Sequence, residues 1–460
     1  MKNPLVLALL ILAVLGGAVW YTNENPPAGD EESVSLVDVK EDQIAAITVR
    51  KAGAEPLTVT RAEGETDWKF GGGLSYPADN AAIGLMVTNL SSLDADRVVE
   101  EQTTDWAPYG LEGDGEISVD VTFRKGEAKE APAAKKIVFG RETPTGSGAY
   151  ARIDGDPRLF TVYNYVKTTF DKKPFDWRDK KLLQVEEDSV SRLELDLKDR
   201  AFAFDKSEDK KWRIQEPSRL RADNFTVGDL ARSIEGAQMT AEVEGDGFSF
   251  DRPLASAEVE DAKGSHTLKV IRDGERYLAQ SSDQQGVYEV SATFAESLQK
   301  NLADFREKKL FDFGFEPLAK ISLRDGATSA AIEKKADKWA LTTDGDREVG
   351  SEKAQTLIDA LRNLSATAFP TDEAGQFGRY GLASPALEAG IVAAGEGATT
   401  EKLLISDLGK ERVYAARDGE ASVYEIEKSA AEEIRRALES LLAADEKPAE
   451  ESGTPPEEGR

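Results

Sequence analysis

His266 is the only histidine in the chain, and cysteine is absent. One imidazole rules out His-x-x-x-His metal pairs and two-histidine facial triads. Without cysteine there are no disulfides, thiolate metal sites, cysteine nucleophiles or lipidated cysteine. A Ser-His-Asp triad would need His266 as its base, yet the run Gly264-Ser265-His266-Thr267-Leu268 reads as the start of a solvent-facing strand. The chain contains no G-x-x-x-x-G-K-[ST] phosphate loop, and Gly71-Gly72-Gly73 and Gly140 to Gly148 read as hairpin turns. The acidic runs Asp154-Gly155-Asp156, Glu244-Gly245-Asp246-Gly247 and Asp344-Gly345-Asp346 invite a Ca²⁺ reading. None carries the twelve-residue D-x-[DN]-x-[DN]-G loop with its closing Glu, and Asp-Gly favours tight turns. What remains is a carboxylate pair of the kind used in glycoside hydrolysis, which is a matter of spatial separation. The sequence therefore assigns no catalytic, cofactor-binding or metal-binding residue, and no cofactor.

The elements that would position any site must come from a long, acidic chain. At 460 residues two to four domains are expected. Lys plus Arg number 58 against 86 Asp plus Glu, a net charge of -28 that repels nucleic acid and anionic lipid. Hydrophobic residues at 40% are enough for packed cores. After Met1-Lys2-Asn3-Pro4, Leu5 to Tyr21 is an uncharged run that reaches the lower end of the roughly 17–25 residues of a membrane span. It reads as a signal-anchor transmembrane helix over 1–22 with Trp20-Tyr21 at the outer interface and a linker over 23–33. Lys2 would stay in the cytoplasm and the body would lie outside. A cleaved signal peptide ending near Gly16-Gly17-Ala18 is the alternative. At the other end, residues 446–460 read as a disordered acidic tail.

Self-similarity organises the body. A strand-like opening recurs at Ile44–Arg50, Val190–Leu197 and Leu318–Leu323. Each leads to a tryptophan, Trp68, Trp212 or Trp339, and then to a helix-period stretch over Asn80–Leu93, Asn224–Gly236 or Ser351–Leu364. Further on, Tyr150, Tyr277 and Tyr414 precede the strand aromatics Phe160, Tyr288 and Tyr424, and closing helices are expected over Tyr163–Phe170, Thr293–Phe305 and Lys428–Leu442. The recurring Trp and Tyr read as core filler between sheet and helix. The predicted fold is α+β: three tandem repeats of an antiparallel sheet covered by helices, over 34–186, 187–314 and 315–445, after the N-terminal transmembrane helix.

Three phrases carry a family resemblance: Tyr109-Gly110-Leu111, the block Phe139-Gly140-Arg141-Glu142-Thr143-Pro144-Thr145-Gly146 through Tyr150-Ala151-Arg152, and Trp177-Arg178-Asp179-Lys180-Lys181-Leu182. Arg306-Glu307-Lys308-Lys309-Leu310 repeats the last phrase, and Tyr380-Gly381-Leu382 repeats the first. Copy two departs, with Phe250-Asp251-Arg252-Pro253-Leu254 in that place. In order and spacing the phrases resemble a bacterial family known as domain of unknown function 4340. The resemblance implies a single-span envelope protein accompanying ABC-transporter components of the gliding-motility auxiliary type, and it supplies no catalytic residues. The expected function is a membrane-anchored extracytoplasmic adaptor, its body in the periplasm or outside the cell. Its expected partners are a membrane protein complex with ABC-transporter-like components, with no nucleic acid. The alternative is an extracytoplasmic glycan- or peptide-binding or hydrolytic protein.

Overall fold

Each recurring tryptophan stands twelve residues before the start of a helix, and in two copies it is bonded to that start. The backbone N–H of Trp68 donates to Asn80 Oδ1 at 2.6 Å, and that of Trp212 to Asn224 Oδ1 at 2.6 Å. The preceding aspartates cap the same helices: Asp79 accepts from the N–H groups of Ala81 and Ala82, and Asp223 from that of Thr226. The helices Asn80–Ser91, Asn224–Glu235 and Ser351–Asn363 then bury one face. That face carries Ile83, Met86 and Leu90 in the first, Val227, Leu230 and Ile234 in the second, and Ala354, Leu357 and Leu361 in the third. The spacing is i, i+3, i+7 each time. In the third copy Gly350 replaces the capping aspartate, and Ser351 is the first helical residue.

The computed structural model describes residues 34–443 apart from 75, 126–130, 187–188, 246, 374 and 396–398. The segments read as signal anchor (1–22), linker (23–33) and acidic tail (446–460) lie outside the described residues. Contacts divide the chain into two compact units. One runs up to Leu182 and takes in 238–246 and 284–291; the other holds 183–237, 247–283 and 292 onward.

In the first unit a sheet runs, in spatial order, Lys69–Phe70, Leu57–Thr60, Ile44–Lys51, Ile117–Phe123, Lys135–Glu142, Gly148–Ile153, Leu159–Tyr163 and Arg97–Glu100. In the second unit one sheet runs Arg347–Val349, Lys338–Leu341, Thr328–Lys335, Leu318–Asp325, Leu387–Ala393, Thr400–Ile405, Val413–Arg417, Val423–Ile426 and Ala366–Thr371. Another in that unit has the same plan over Leu220–Arg221, Trp212–Glu216, Ala201–Lys206, Arg192–Leu197, Ala255–Glu260, Ser265–Asp273 and Arg276–Ser281. The antiparallel pair Tyr288–Val290 and Ala241–Glu242, counted with the first unit, repeats the pair Val423–Ile426 and Ala366–Thr371. A small sheet of Ser35–Asp38 and Ser92–Asp94 makes the fourth.

These sheets correct the α+β expectation, while the transmembrane helix expected over 1–22 lies outside the described residues. The described chain is predominantly antiparallel β in four sheets, and among the described residues no helix is long and apolar enough to cross a membrane. Strands as short as Lys69–Phe70, Leu220–Arg221 and Ala241–Glu242 show no alternation of their own, so periodicity under-counts them. The closing helix expected over 293–305 is likewise two helices, Ala292–Ser297 and Leu302–Phe305. The break comes where the Asn301 N–H donates to Asp304 Oδ2 at 2.8 Å and starts a new cap.

Trp68, Trp212 and Trp339 are 4%, 4% and 9% exposed, at the sheet–helix layer where the sequence expects them. Tyr150 and Tyr414 are not in that layer. Their neighbours Ala149, Ala151 and Ala415 point into the main core, so strand alternation sends the tyrosines to the other face. There Tyr150 meets Tyr109 at 5.0 Å beside buried Leu111, and Tyr414 meets Tyr380 at 4.9 Å beside buried Leu382. Gly110 and Gly381 turn the chain in the left-handed region (φ 67° and 75°) to put those leucines in place. Gly140 lets the Tyr109 turn lie on its strand, since a Cβ there would sit 2.3 Å from the Tyr109 carbonyl oxygen.

Gly140→Ala is therefore expected to destabilise the chain by about 1–3 kcal/mol through overpacking. Gly84→Ala, in the open middle of the helix Asn80–Ser91, should stabilise it by about 0.5–1 kcal/mol. Urea unfolding of both variants measures the two signs; equal shifts would show that the close approach at Gly140 is unimportant.

Candidate functional site

The phrases Trp177-Arg178-Asp179-Lys180 and Phe305-Arg306-Glu307-Lys308 form two joints with one hydrogen-bond plan. On one side, Asp79 N–H donates to the Trp177 carbonyl (2.8 Å) and Asp179 N–H to that of Pro77 (3.0 Å). The same places in the second unit are taken by Asp223 N–H to Phe305 (2.8 Å) and Glu307 N–H to Arg221 (3.0 Å). On the other side Met239 N–H donates to Lys180 (2.9 Å) and Ala366 N–H to Lys308 (2.7 Å). Lys181 then bridges Gln238 and Lys309 bridges Ser365, each 26 residues past its copy's tryptophan.

The arginine in each phrase is buried. Arg178, 4% exposed, donates to Gln284 Oε1 at 2.7 Å, to the Tyr288 hydroxyl at 2.8 Å and to Glu242 at 3.2 Å. Its guanidinium lies 4.4 Å from the Tyr76 ring and 4.9 Å from that of Tyr288. Arg306, 3% exposed, meets the two oxygens of Asp372 at 2.7 and 2.9 Å, donates to Ser422 Oγ at 3.1 Å and covers the Phe369 ring at 3.8 Å. Ser422 Oγ donates onward to Asp372 at 2.7 Å.

Beside the second joint, within the second unit, lies a cleft of about 550 Å³. Its charged walls are Arg213, Arg219 and Arg221 with Asp205, Asp372 and Glu420; Ile214, Leu220 and Tyr424 supply apolar surface. The carboxylates are engaged. Asp372 is held by Arg306 and Ser422, Asp205 Oδ1 by Arg192 at 2.5 Å, and Glu420 by Arg417 at 2.9 Å and the Tyr424 hydroxyl. Burial, with Glu420 beside it, pushes the Tyr424 hydroxyl well up. The arginines are less engaged: Arg219 is exposed, and Arg221 Nε and Nη1 have no hydrogen-bond partner.

His266 occupies a different place from the one the sequence suggests. Its side chain is 12% exposed, with Nδ1 at 2.7 Å from Asp283 Oδ2 and Nε2 at 3.3 Å from Asp261 Oδ1. Ser265 Oγ turns away to Glu258. Both ring nitrogens face carboxylates, so no hydroxyl is presented to it as a nucleophile. Burial alone would lower the imidazole, but Asp283 and Asp261 outweigh it and raise it above the ordinary 6.5. For Asp261, burial is outweighed by the N–H groups of Glu186, Lys263 and Gly264 and by His266, which hold its carboxyl down to about 2. Asp283 and Asp261 also accept from the N–H groups of Gln184 and Glu186, so the cluster pins the chain's entry to the second copy.

The acidic loops carry arginine and lysine partners rather than a shared centre. Asp156 pairs with Arg158 at 2.7 Å, Asp344 with Arg347 at 2.8 Å and Asp346 with Lys335 at 2.7 Å. Asp246 lies outside the described residues. Among the described residues no group of three or more His, Cys, Asp or Glu is placed to hold a metal ion. Sequence reasoning missed the cleft and the buried role of the two linker arginines; the repeated Arg-Asp/Glu-Lys-Lys-Leu phrase was the available signal.

A family model described as a domain of unknown function (DUF4340) matches three segments, residues 68–211, 212–376 and 339–445. Each begins on one of the recurring tryptophans. No curated protein matches the chain.

Two predictions follow from these clusters. Arg306→Met strands Asp372 and should cost about 3 kcal/mol in urea unfolding, with part recovered by adding Asp372→Asn; no loss would mean that the joint holds without its ion pair. His266, raised in the folded state, contributes stability that is fully present below its unfolded value near 6.5 and lost as pH rises through the folded one. The wild type should thus lose stability relative to His266→Gln as pH rises above about 6.5, and parallel curves would remove His266 from the account.

Proposed function

We propose, from the premise that this chain belongs to the DUF4340 family, that it is a non-catalytic docking scaffold of the cell envelope, accessory to an ABC-type export or motility machine. The observation that carries the reading is the paired joints: the most deeply buried arginines of the described chain, Arg178 and Arg306, tie segments of successive copies together. Charge buried this way serves fixed geometry, and a tandem series of like folds held in register presents area and valency to partners. The body then lies outside the cytoplasm, as the family resemblance implies. The acidic surface, at a net charge of -28, would steer a basic partner face and make its capture salt-sensitive.

Crosslinking in native cells followed by affinity isolation of the full chain from solubilised membranes tests this. The expected yield is ABC-transporter permease and ATPase subunits, with recovery falling as salt rises. Isolation of no transport subunit, together with hydrolysis of an envelope glycan abolished by a single Asp or Glu substitution, would replace the scaffold with an enzyme.

A further inference from the structure

The cleft beside the second joint has a one-sided hydrogen-bond inventory. Asp372 spends both oxygens on Arg306 and Ser422, and Glu420 spends its own on Arg417 and Tyr424. Asp205 gives one oxygen to Arg192. Against these engaged acceptors stand donors with capacity to spare. Arg219 is exposed and makes no ion pair or hydrogen bond among the described residues. Arg213, 40% exposed, donates from Nη1 to the Trp212 carbonyl at 3.1 Å and meets one carboxylate, Asp209, at 3.3 Å. Arg221 Nε and Nη1 have no hydrogen-bond partner, Glu420 lying 3.9 Å from Nε. These two atoms are closed off from solvent, so they add positive potential while Arg219 and Arg213 are the reachable contacts.

We propose that this cleft receives the C-terminal carboxylate of a peptide chain, with Arg219 and Arg213 as its contacts. A guanidinium matches a carboxylate with two parallel hydrogen bonds. A volume of about 550 Å³ lies within the roughly 300–1,000 Å³ of small-ligand sites, room for a few residues and not for a folded domain. The wall chemistry selects a peptide monoanion over phosphate. Three carboxylates in the walls repel a group carrying roughly -1.5 to -2 charges more strongly than a single charge. Asp205 Oδ2 and the side chains of Gln215 and Ser218 can meet the amide groups that follow a peptide terminus. Ile214 and Leu220 can meet its side chains.

The proposal rests on the docking reading for its class of partner, but the two fail separately, because the test needs no membrane partner. The immobilised full chain is offered a pool of N-capped tetrapeptides randomised at every position, once as free acids and once as carboxamides, with retained peptides read by mass spectrometry. Free acids are expected to be retained at least about tenfold over carboxamides. Arg219→Gln with Arg213→Gln should abolish the difference while leaving the unfolding midpoint unchanged, since both side chains reach solvent. Equal retention of acids and carboxamides, unchanged retention by the double variant, or displacement by equimolar inorganic phosphate would each overturn the assignment, the last in favour of a phosphate site.

Discussion

A guanidinium taken out of water must find its hydrogen bonds and counter-charge inside the protein, or the fold that buries it does not form. Arg306 meets that demand with both oxygens of Asp372, the Ser422 hydroxyl and the face of Phe369. Every one of these groups lies beyond the joint, whereas the backbone of the same phrase is hydrogen-bonded to residues 221–223 before it. The arginine can be satisfied only when both sides are in place at the right distance. Lysine would not substitute, for it lacks the planar fork and the ring-stacking face. Buried ion pairs add little net stability compared with apolar packing, so the gain is a fixed register. The alignment of the cleft walls with the joint depends on that register, because Asp372 and Ser422 serve both.

The first copy places a partly exposed cation against the equivalent aromatic. Phe160 holds the sheet position of Tyr288 and Tyr424, yet no joint phrase is described ahead of it. Arg158, two residues earlier in the same strand region, lies 5.1 Å from the Phe160 ring and is paired with Asp156 at 2.7 Å. The cation is thus supplied from within the copy. The entering strand is kept: Ser35 bridges Asp94 as Lys181 bridges Gln238 and Lys309 bridges Ser365. Its apolar pair is kept as well, Leu36-Val37 standing where Leu182-Leu183 and Leu310-Phe311 stand, all buried.

What the sequence discloses follows from how local each interaction is. The Trp-to-helix spacing, the buried helix faces and the Tyr-Gly-Leu turns are set within about a dozen residues, and they recur, so they are legible. The role of Arg178 is not: its partners Glu242, Gln284 and Tyr288 stand 64 to 110 residues away. Arg306 finds Asp372 at a similar distance, from a loop position that does not match Glu242. His266 reads as a surface residue because the strand alternates, while Asp261 and Asp283 reach it from the two turns flanking the neighbouring strands. Sheet content is hidden in the sequence for the same reason, since a two-residue strand is defined by its partner and not by its own pattern.

The cleft shows how copies of one frame come to differ. Nine residues past the recurring tryptophans stand Pro77, Arg221 and Glu348. One backbone position therefore carries no charge, a positive charge and a negative charge in turn. Seven residues past them stand Ser75, Arg219 and Asp346, and Asp346 is neutralised by Lys335 at 2.7 Å. The residues that hold the frame are repeated: Trp68 and Trp212 with Asn80 and Asn224 at short range, and Arg178 and Arg306 at long range. Those that line the cleft vary at fixed positions between them. A fold whose joints are locked by buried charge can change its surface chemistry at such positions without disturbing its register. The donor-rich cleft accordingly belongs to the second joint, where two of these variable positions became arginine beside carboxylates already committed to holding the joint.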